Sequence, residues 1–140
     1  MQKSIMSMHQ LQGGFAQNKS WDAQYRLLIQ LGKKLPCMDE SDKNLRNEVQ
    51  GCASAAWLKV HLEGDRYQIT MHSDTRIVRG LMMILLVIYQ NKNARQILAV
   101  NINDIFTELG LLNHLSPSRA NGLFAIVKRI TQLGIDENDE

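Results

Sequence analysis

The sequence predicts an α+β fold, a small antiparallel sheet packed by helices. Three patterns carry that expectation. Residues 54–62 and 67–71 alternate apolar and polar positions around a turn tetrapeptide, as a half-buried hairpin does. Apolar residues recur at helical spacing before and after the hairpin. The strands are therefore segregated from the helices, which favours α+β over alternating β-α units.

Ser20–Leu31 reads as the first helix. Ser20 caps it, and Trp21, Tyr25, Leu28 and Leu31 recur at 4, 3 and 3. Gly32 is expected to stop it and Pro36 to prevent resumption. Cys37–Asn47 is polar and reads as a long surface loop, its acids Asp39, Glu40 and Asp42 solvated. A short strand over Asn47–Gln50 leads into the hairpin. In the hairpin Leu58, Val60 and Leu62 share one face, and Trp57, Lys59 and His61 share the other. Glu63-Gly64-Asp65-Arg66 makes the turn, and Tyr67, Ile69 and Met71 return.

Ser73-Asp74 offers a hydroxyl and a carboxylate to the free N–H groups of a second long helix running to about Gln90. Its body, LMMILLVIY, is apolar all round, which marks a central buried helix. Gly80 inside it costs about 1 kcal/mol against Ala, so a backbone is expected to pack closely there. Two short helices follow, one capped by Asn93, the other by Asn103 and ended by Gly110. The last helix starts at Ser116-Pro117 and buries Leu123, Ile126, Val127 and Ile130. Trp21 and Trp57 are expected as core anchors.

The 140 residues suit one domain over 1–140, with its core at about 21–133 and termini partly disordered. The longest apolar stretch lies between Arg79 and Lys92, too short for the roughly 20 residues of a membrane span. The N-terminus has no signal-peptide pattern. Net charge is +2, but four acids fall in the last five residues, so residues 1–135 carry sixteen cations against ten acids. No basic stripe is interleaved with aromatics, so nucleic acid is not expected as a partner. A mildly basic body also suits an acidic protein surface.

Two cysteines, Cys37 and Cys52, stand 15 apart without a CxxC, and in a cytosolic chain they are expected as reduced thiols. They supply no structural zinc site by themselves. Cys52 is the more informative. It lies in Val49-Gln50-Gly51-Cys52-Ala53-Ser54, where Gly51 relaxes the backbone and small neighbours leave the thiol approachable. A loop-tip thiol beside a sheet suits a nucleophile, although a free cysteine is also commonly a small buried hydrophobe. Among the histidines, His61 and His72 are placed to face each other on the hairpin, but no HxxxH spacing exists and no base beside Cys52 is identifiable. No phosphate-binding glycine loop, dinucleotide fingerprint or GxSxG is present. Arg119, in the first turn of the last helix, opposes the helix dipole and so suggests an anionic partner.

Five ordered blocks between Trp21 and Ile130 carry a resemblance: WDAQYRLLIQLGKKLP (Trp21–Pro36), NEVQGCASAAW (Asn47–Trp57), HSDTRIVRGLMMILL (His72–Leu86), FTELGLLNHLSPSR (Phe106–Arg119) and ANGL (Ala120–Leu123). On these the chain resembles the SufE/CsdE family of sulfur-acceptor proteins. Ala56 departs from the pattern, standing where a larger apolar residue usually precedes the Trp. The resemblance implies the fold of the iron–sulfur scaffold proteins. It also implies that Cys52 takes sulfane sulfur, as a persulfide, from a cysteine desulfurase of the SufS or CsdA type. The sulfur then passes to an iron–sulfur scaffold or another acceptor. Gly51, Asp74 and Arg119 fall near the cysteine loop or on the partner surface, and Cys37 has no matching role. The resemblance implies a cytoplasmic monomer or homodimer with no cofactor of its own, pyridoxal phosphate belonging to the desulfurase. Such a chain is a carrier and activator rather than a free-standing enzyme. Two alternatives stay open on the residues alone: a thiol redox protein using Cys52 with Cys37, and an adaptor that binds a desulfurase without sulfur chemistry.

Overall fold

A computed structural model describes residues 7–51 and 55–138, with side chains described through Leu133. The elements, in chain order, are α1 (Met8–Gln17), α2 (Trp21–Lys33), β1 (Ala56–Glu63), β2 (Arg66–Ser73), α3 (Arg76–Tyr89), α4 (Ala94–Ala99), α5 (Ile102–Glu108) and α6 (Pro117–Asn138). Short 3-10 turns occupy Glu40–Asp42 and Leu112–His114. The architecture is the α+β arrangement the patterns predict: one antiparallel hairpin with helices packed on it.

β1 and β2 pair from Ala56↔Ser73 to Glu63↔Arg66, with Gly64-Asp65 as the two-residue loop between them. Gly64 takes φ +65°, the left-handed backbone such a tight loop requires at its first position. The Asn47–Gln50 strand is reduced to one bridge, Glu48↔Trp57. β2 buries Tyr67, Ile69 and Met71 against α3. At the far end of α3 the Gln90 side chain accepts from the Ile69 N–H at 2.7 Å and donates to Gln68 Oε1 at 3.0 Å, tying the helix exit to the strand.

α3 is the central helix, with Ile77, Val78, Leu81–Leu86, Ile88 and Tyr89 all buried. Its closest neighbour is α2. At the crossing a Cβ on Gly80 would overlap the backbone carbonyl of Leu28. A Cβ on Gly32 would stand 3.0 Å from the Gly80 nitrogen and 3.2 Å from the Arg76 oxygen. Two helices approach backbone to backbone only where side chains are missing, and glycine on both sides permits it. Gly32 is therefore a packing residue and not the stop the sequence suggests. The helix runs through it to Lys33 and ends where the Lys34 N–H turns back to the Leu31 carbonyl, ahead of Leu35-Pro36.

Three further expectations change. α1, which no periodicity announces, is held by a capping box: Ser7 Oγ accepts from the Gln10 N–H and the Gln10 side chain accepts from the Ser7 N–H. It buries Leu11 and Phe15, so the packed core begins near residue 11 and not near 21. α5 is capped by Asn101, whose side chain accepts from the Asp104 N–H, and not by Asn103. Trp21 and Trp57 are half-buried rather than core anchors; Trp21 stacks on His114 at 5.6 Å between centroids. α6 buries Leu123, Ile126, Val127 and Ile130 as expected and continues to Asn138; Asp139-Glu140, the tip of the acidic end expected to fray, lie outside the described residues.

The glycines predict opposite responses to alanine. Gly80→Ala forces the α2–α3 crossing apart and is expected to destabilise by about 1–3 kcal/mol, the range of overpacking. Gly13→Ala, whose Cβ meets nothing within 4 Å, removes a helix glycine and is expected to stabilise by about 0.5–1 kcal/mol. Urea unfolding of the two variants checks both signs.

Candidate functional site at the cysteine loop

The described chain on the two sides of residues 52–54 is fixed together. The Val49 N–H donates to the Ala56 carbonyl at 2.8 Å, and the Leu58 N–H to the Asn47 carbonyl at 2.8 Å. Val49 and Ala56 are both buried, so the stem is anchored in the core. Gly51 lies just beyond the stem at φ +91°, backbone that L side chains rarely adopt. Its missing side chain faces α6: a Cβ there would meet the Ala125 Cβ at 3.4 Å. Cys52, Ala53 and Ser54 lie outside the described residues, so the site is read from its frame.

Ser73 locks the downstream end. Fully buried, its hydroxyl donates to the Ala55 carbonyl at 2.8 Å and accepts from the Thr75 N–H at 3.2 Å. The Arg79 guanidinium donates to the Ser73 carbonyl at 3.2 Å. One residue thus joins the loop, the end of β2 and the start of α3. The sequence suggests Ser73 only as a helix starter, because nothing local to it reveals a bond to a residue 18 positions earlier. The upstream side is held by α6, where Arg129 donates to the Arg46 carbonyl at 2.8 Å, one helical turn beyond Ala125. Arg129 stands outside every motif the sequence offers.

Asp74 is not the cap its position suggests. Thr75 is the N-cap of α3 and makes no side-chain cap bond, while Ser73 takes the Thr75 N–H. The Asp74 carboxylate is exposed instead, 3.6 Å from His72 Nε2 and next in the chain to the loop-locking serine. His72 stacks on Trp57 across the hairpin at 6.0 Å between centroids. It therefore faces Trp57, and His61 is opposite Gln68, so the two histidines do not face each other. Burial of the imidazole holds the His72 pKa below its usual 6.5, reinforced by the Lys43 and Arg79 cations and opposed by Asp74.

Arg119 sits in the first turn of α6, where its N–H donates to Ser116 Oγ at 3.3 Å. Among the described residues its guanidinium carries no ion pair or hydrogen bond. Cys37 is a free, exposed thiol. Among the described residues no three His, Cys, Asp or Glu side chains gather as metal ligands, and no helix is long and apolar enough to cross a membrane. Beside the stem, Lys43, Asn44, Leu45, Arg46, Glu48 and Trp57 line an open groove of about 760 Å³.

Comparison with known proteins places this frame in a family. Residues 9–134 match the SufE domain, described as an Fe-S metabolism associated domain. An uncharacterized SufE-like protein of Rhizobium meliloti is 43% identical over 130 residues, covering 90% of this chain and 93% of that one. A second, from Rhizobium etli, is 41% identical over 132 residues, covering 91% and 89%. A hypothetical protein from Thermus thermophilus, solved in solution, superposes with a TM-score of 0.74 at 16% identity, over 96% of this chain and all of that one, and shares the fold.

The environment of His72 predicts a pH response. A folded pKa below the unfolded one means that the unfolded chain binds the extra proton. The stability His72 contributes is present above about 6.5, the unfolded value, and is withdrawn as pH falls below it. NMR titration is expected to place the His72 midpoint under 6.5, and Asp74→Asn, which removes a charge and a hydrogen bond favouring imidazolium, to lower it further. A rise in the variant would contradict the contact.

Proposed function

The chain belongs to the SufE family, and from that premise we propose that it accepts sulfur from a cysteine desulfurase on Cys52 and hands it on for iron–sulfur cluster assembly or to another acceptor. The observation that supports Cys52 in this role is the stem. A loop closed by Val49 and Ala56, locked by Ser73 and lying against α6 at Gly51, leads through this cysteine.

The chemistry is thiol–disulfide exchange in form. The Cys52 thiolate attacks the terminal sulfur of the desulfurase's cysteine persulfide. A new S–S bond forms at Cys52, the S–S bond on the desulfurase breaks, and the desulfurase cysteine leaves as a thiolate. The terminal sulfur keeps its proton, and no outside oxidant or reductant is consumed. Only the thiolate attacks, so a cation near the loop raises the reactive fraction. Arg119, with no anionic partner among the described residues, is the residue we assign to that task or to contact with the desulfurase. Asp74, exposed beside the loop base, belongs to the same partner surface. Removing sulfur frees the desulfurase for its next turnover, so the chain acts as carrier and activator. The pyridoxal phosphate of that reaction belongs to the desulfurase. A reducing cytoplasm suits both partners and keeps Cys37 a bystander thiol.

Intact mass after incubation with a cysteine desulfurase and cysteine tests the assignment. Wild type and Cys37→Ser are each expected to gain about 32 Da per sulfur, removable by reductant as a persulfide cap is. Cys52→Ser is expected to gain nothing and to leave sulfide production at the basal rate. Sulfur on Cys37 in that variant would overturn the assignment. A requirement for both cysteines would favour a redox pair, and full stimulation by Cys52→Ser would favour an adaptor.

Gly51 supplies a second test. Any L side chain at φ +91° is strained, so Gly51→Val is expected to keep a cooperative unfolding transition while slowing persulfide formation on Cys52. A variant that accepts sulfur at the wild-type rate would remove Gly51 from the mechanism.

A further inference from the structure

At the α2–α3 crossing Ile29, Gly32, Lys33, Arg76 and Arg79 line a cavity of about 300 Å³ that shares no lining residue with the stem groove. Three of its five walls are cations. Among the described residues none of the three pairs with a carboxylate. The first turn of α3 contains no acid, and the nearest one in the chain, Asp74, is engaged with His72. The helix dipoles account for only part of this charge. Lys33 in the last turn of α2 is favourably placed, but Arg76 and Arg79 lie in the first turn of α3, where a cation is unfavourable. Three like charges around one cavity repel, and an anion entering it relieves all three at once.

The cavity is also wired to the cysteine loop. The Arg79 guanidinium that lines it donates to the Ser73 carbonyl, and the Ser73 hydroxyl donates to Ala55 at the loop's downstream end. A group bound there sits beside the loop base, on a body whose first 135 residues are net positive.

We infer that this cavity receives a carboxylate side chain of the partner desulfurase and is a docking contact for the sulfur-transfer complex; this rests on the function proposed above. Lys33 and Arg76 supply mobile charge at the rim. Arg79 reports occupancy to the loop base through Ser73. The contact is electrostatic, so it governs association and its salt dependence more than the sulfur step itself.

Binding of the full chain to a cysteine desulfurase, measured at several salt concentrations, tests the inference. Lys33→Gln with Arg76→Gln is expected to weaken binding about tenfold or more, the worth of a close charge pair across an interface, and to flatten the salt dependence. At saturating concentration the variant is expected still to acquire the persulfide on Cys52. Lys19→Gln, which removes an exposed charge ahead of the other end of α2, is expected to bind as wild type does. Unchanged affinity and salt slope in the double variant, with wild type persulfidated normally, would overturn the docking contact and leave the proposed function standing. Wild type that gains no sulfur would overturn the proposed function itself. Inorganic phosphate that binds wild type tightly without competing with the desulfurase would make the cavity a small-anion site and overturn the docking reading.

Discussion

Everything asked of the cysteine loop depends on its ends being held together. A flexible loop of this length costs only a little entropy to close, but an unanchored one would present its tip in many positions. Here the two closing bonds are backbone to backbone, Val49 to Ala56 and Leu58 to Asn47, and three of those four residues are buried. Backbone bonds in a dry stem hold position whatever side chains the loop carries. The loop sequence is then free to serve reactivity: a glycine at left-handed φ, a thiol, and small residues after it.

That stem is only as firm as what lies beneath it. Ser73 connects the loop to the first turn of α3, and α3 is held against α2 by the glycine crossing at Gly32 and Gly80. A side chain at either glycine would push the helices apart and carry the start of α3, with Ser73 and Arg79, away from Ala55. On the other flank α6 contributes Ala125 against Gly51 and Arg129 on the Arg46 carbonyl. The described ends of the loop are thus held by a hairpin, a central helix and the last helix. The same grip puts the cationic cavity within two hydrogen bonds of the loop base.

Much of this was legible in the chain because it is written in local pattern. Alternation at Leu58 and Val60, the Ser20 and Ser116 caps and the apolar body of α3 each announce their element within a few residues. Gly80 announced a close approach because glycine in a buried helix has few other uses. Gly32 did not: a glycine near a helix end looks like a stop whenever its packing partner lies some fifty residues away. In the sequence Ser73 and Asp74 look alike as helix starters, and the structure separates them, one turned inward to Ala55 and the other outward beside His72. Arg129 was invisible, since a bond to the carbonyl of Arg46 depends on tertiary placement and leaves no spacing to detect. The family's blocks pointed to Cys52, Gly51, Asp74 and Arg119 together. Of these the structure sets Gly51 against α6 and Asp74 beside the loop base, leaves the Arg119 guanidinium without a described partner, and does not describe Cys52.

The central claim is that the fold holds the two ends of the cysteine loop as firmly as its own core. Native-state amide hydrogen exchange measures this directly. The Val49 and Leu58 amides, which donate across the stem, are expected to exchange as slowly as those in the middle of α3, opening only when the whole domain unfolds. Exchange at Val49 and Leu58 on the timescale of exposed loop amides, with α3 still protected, would contradict it.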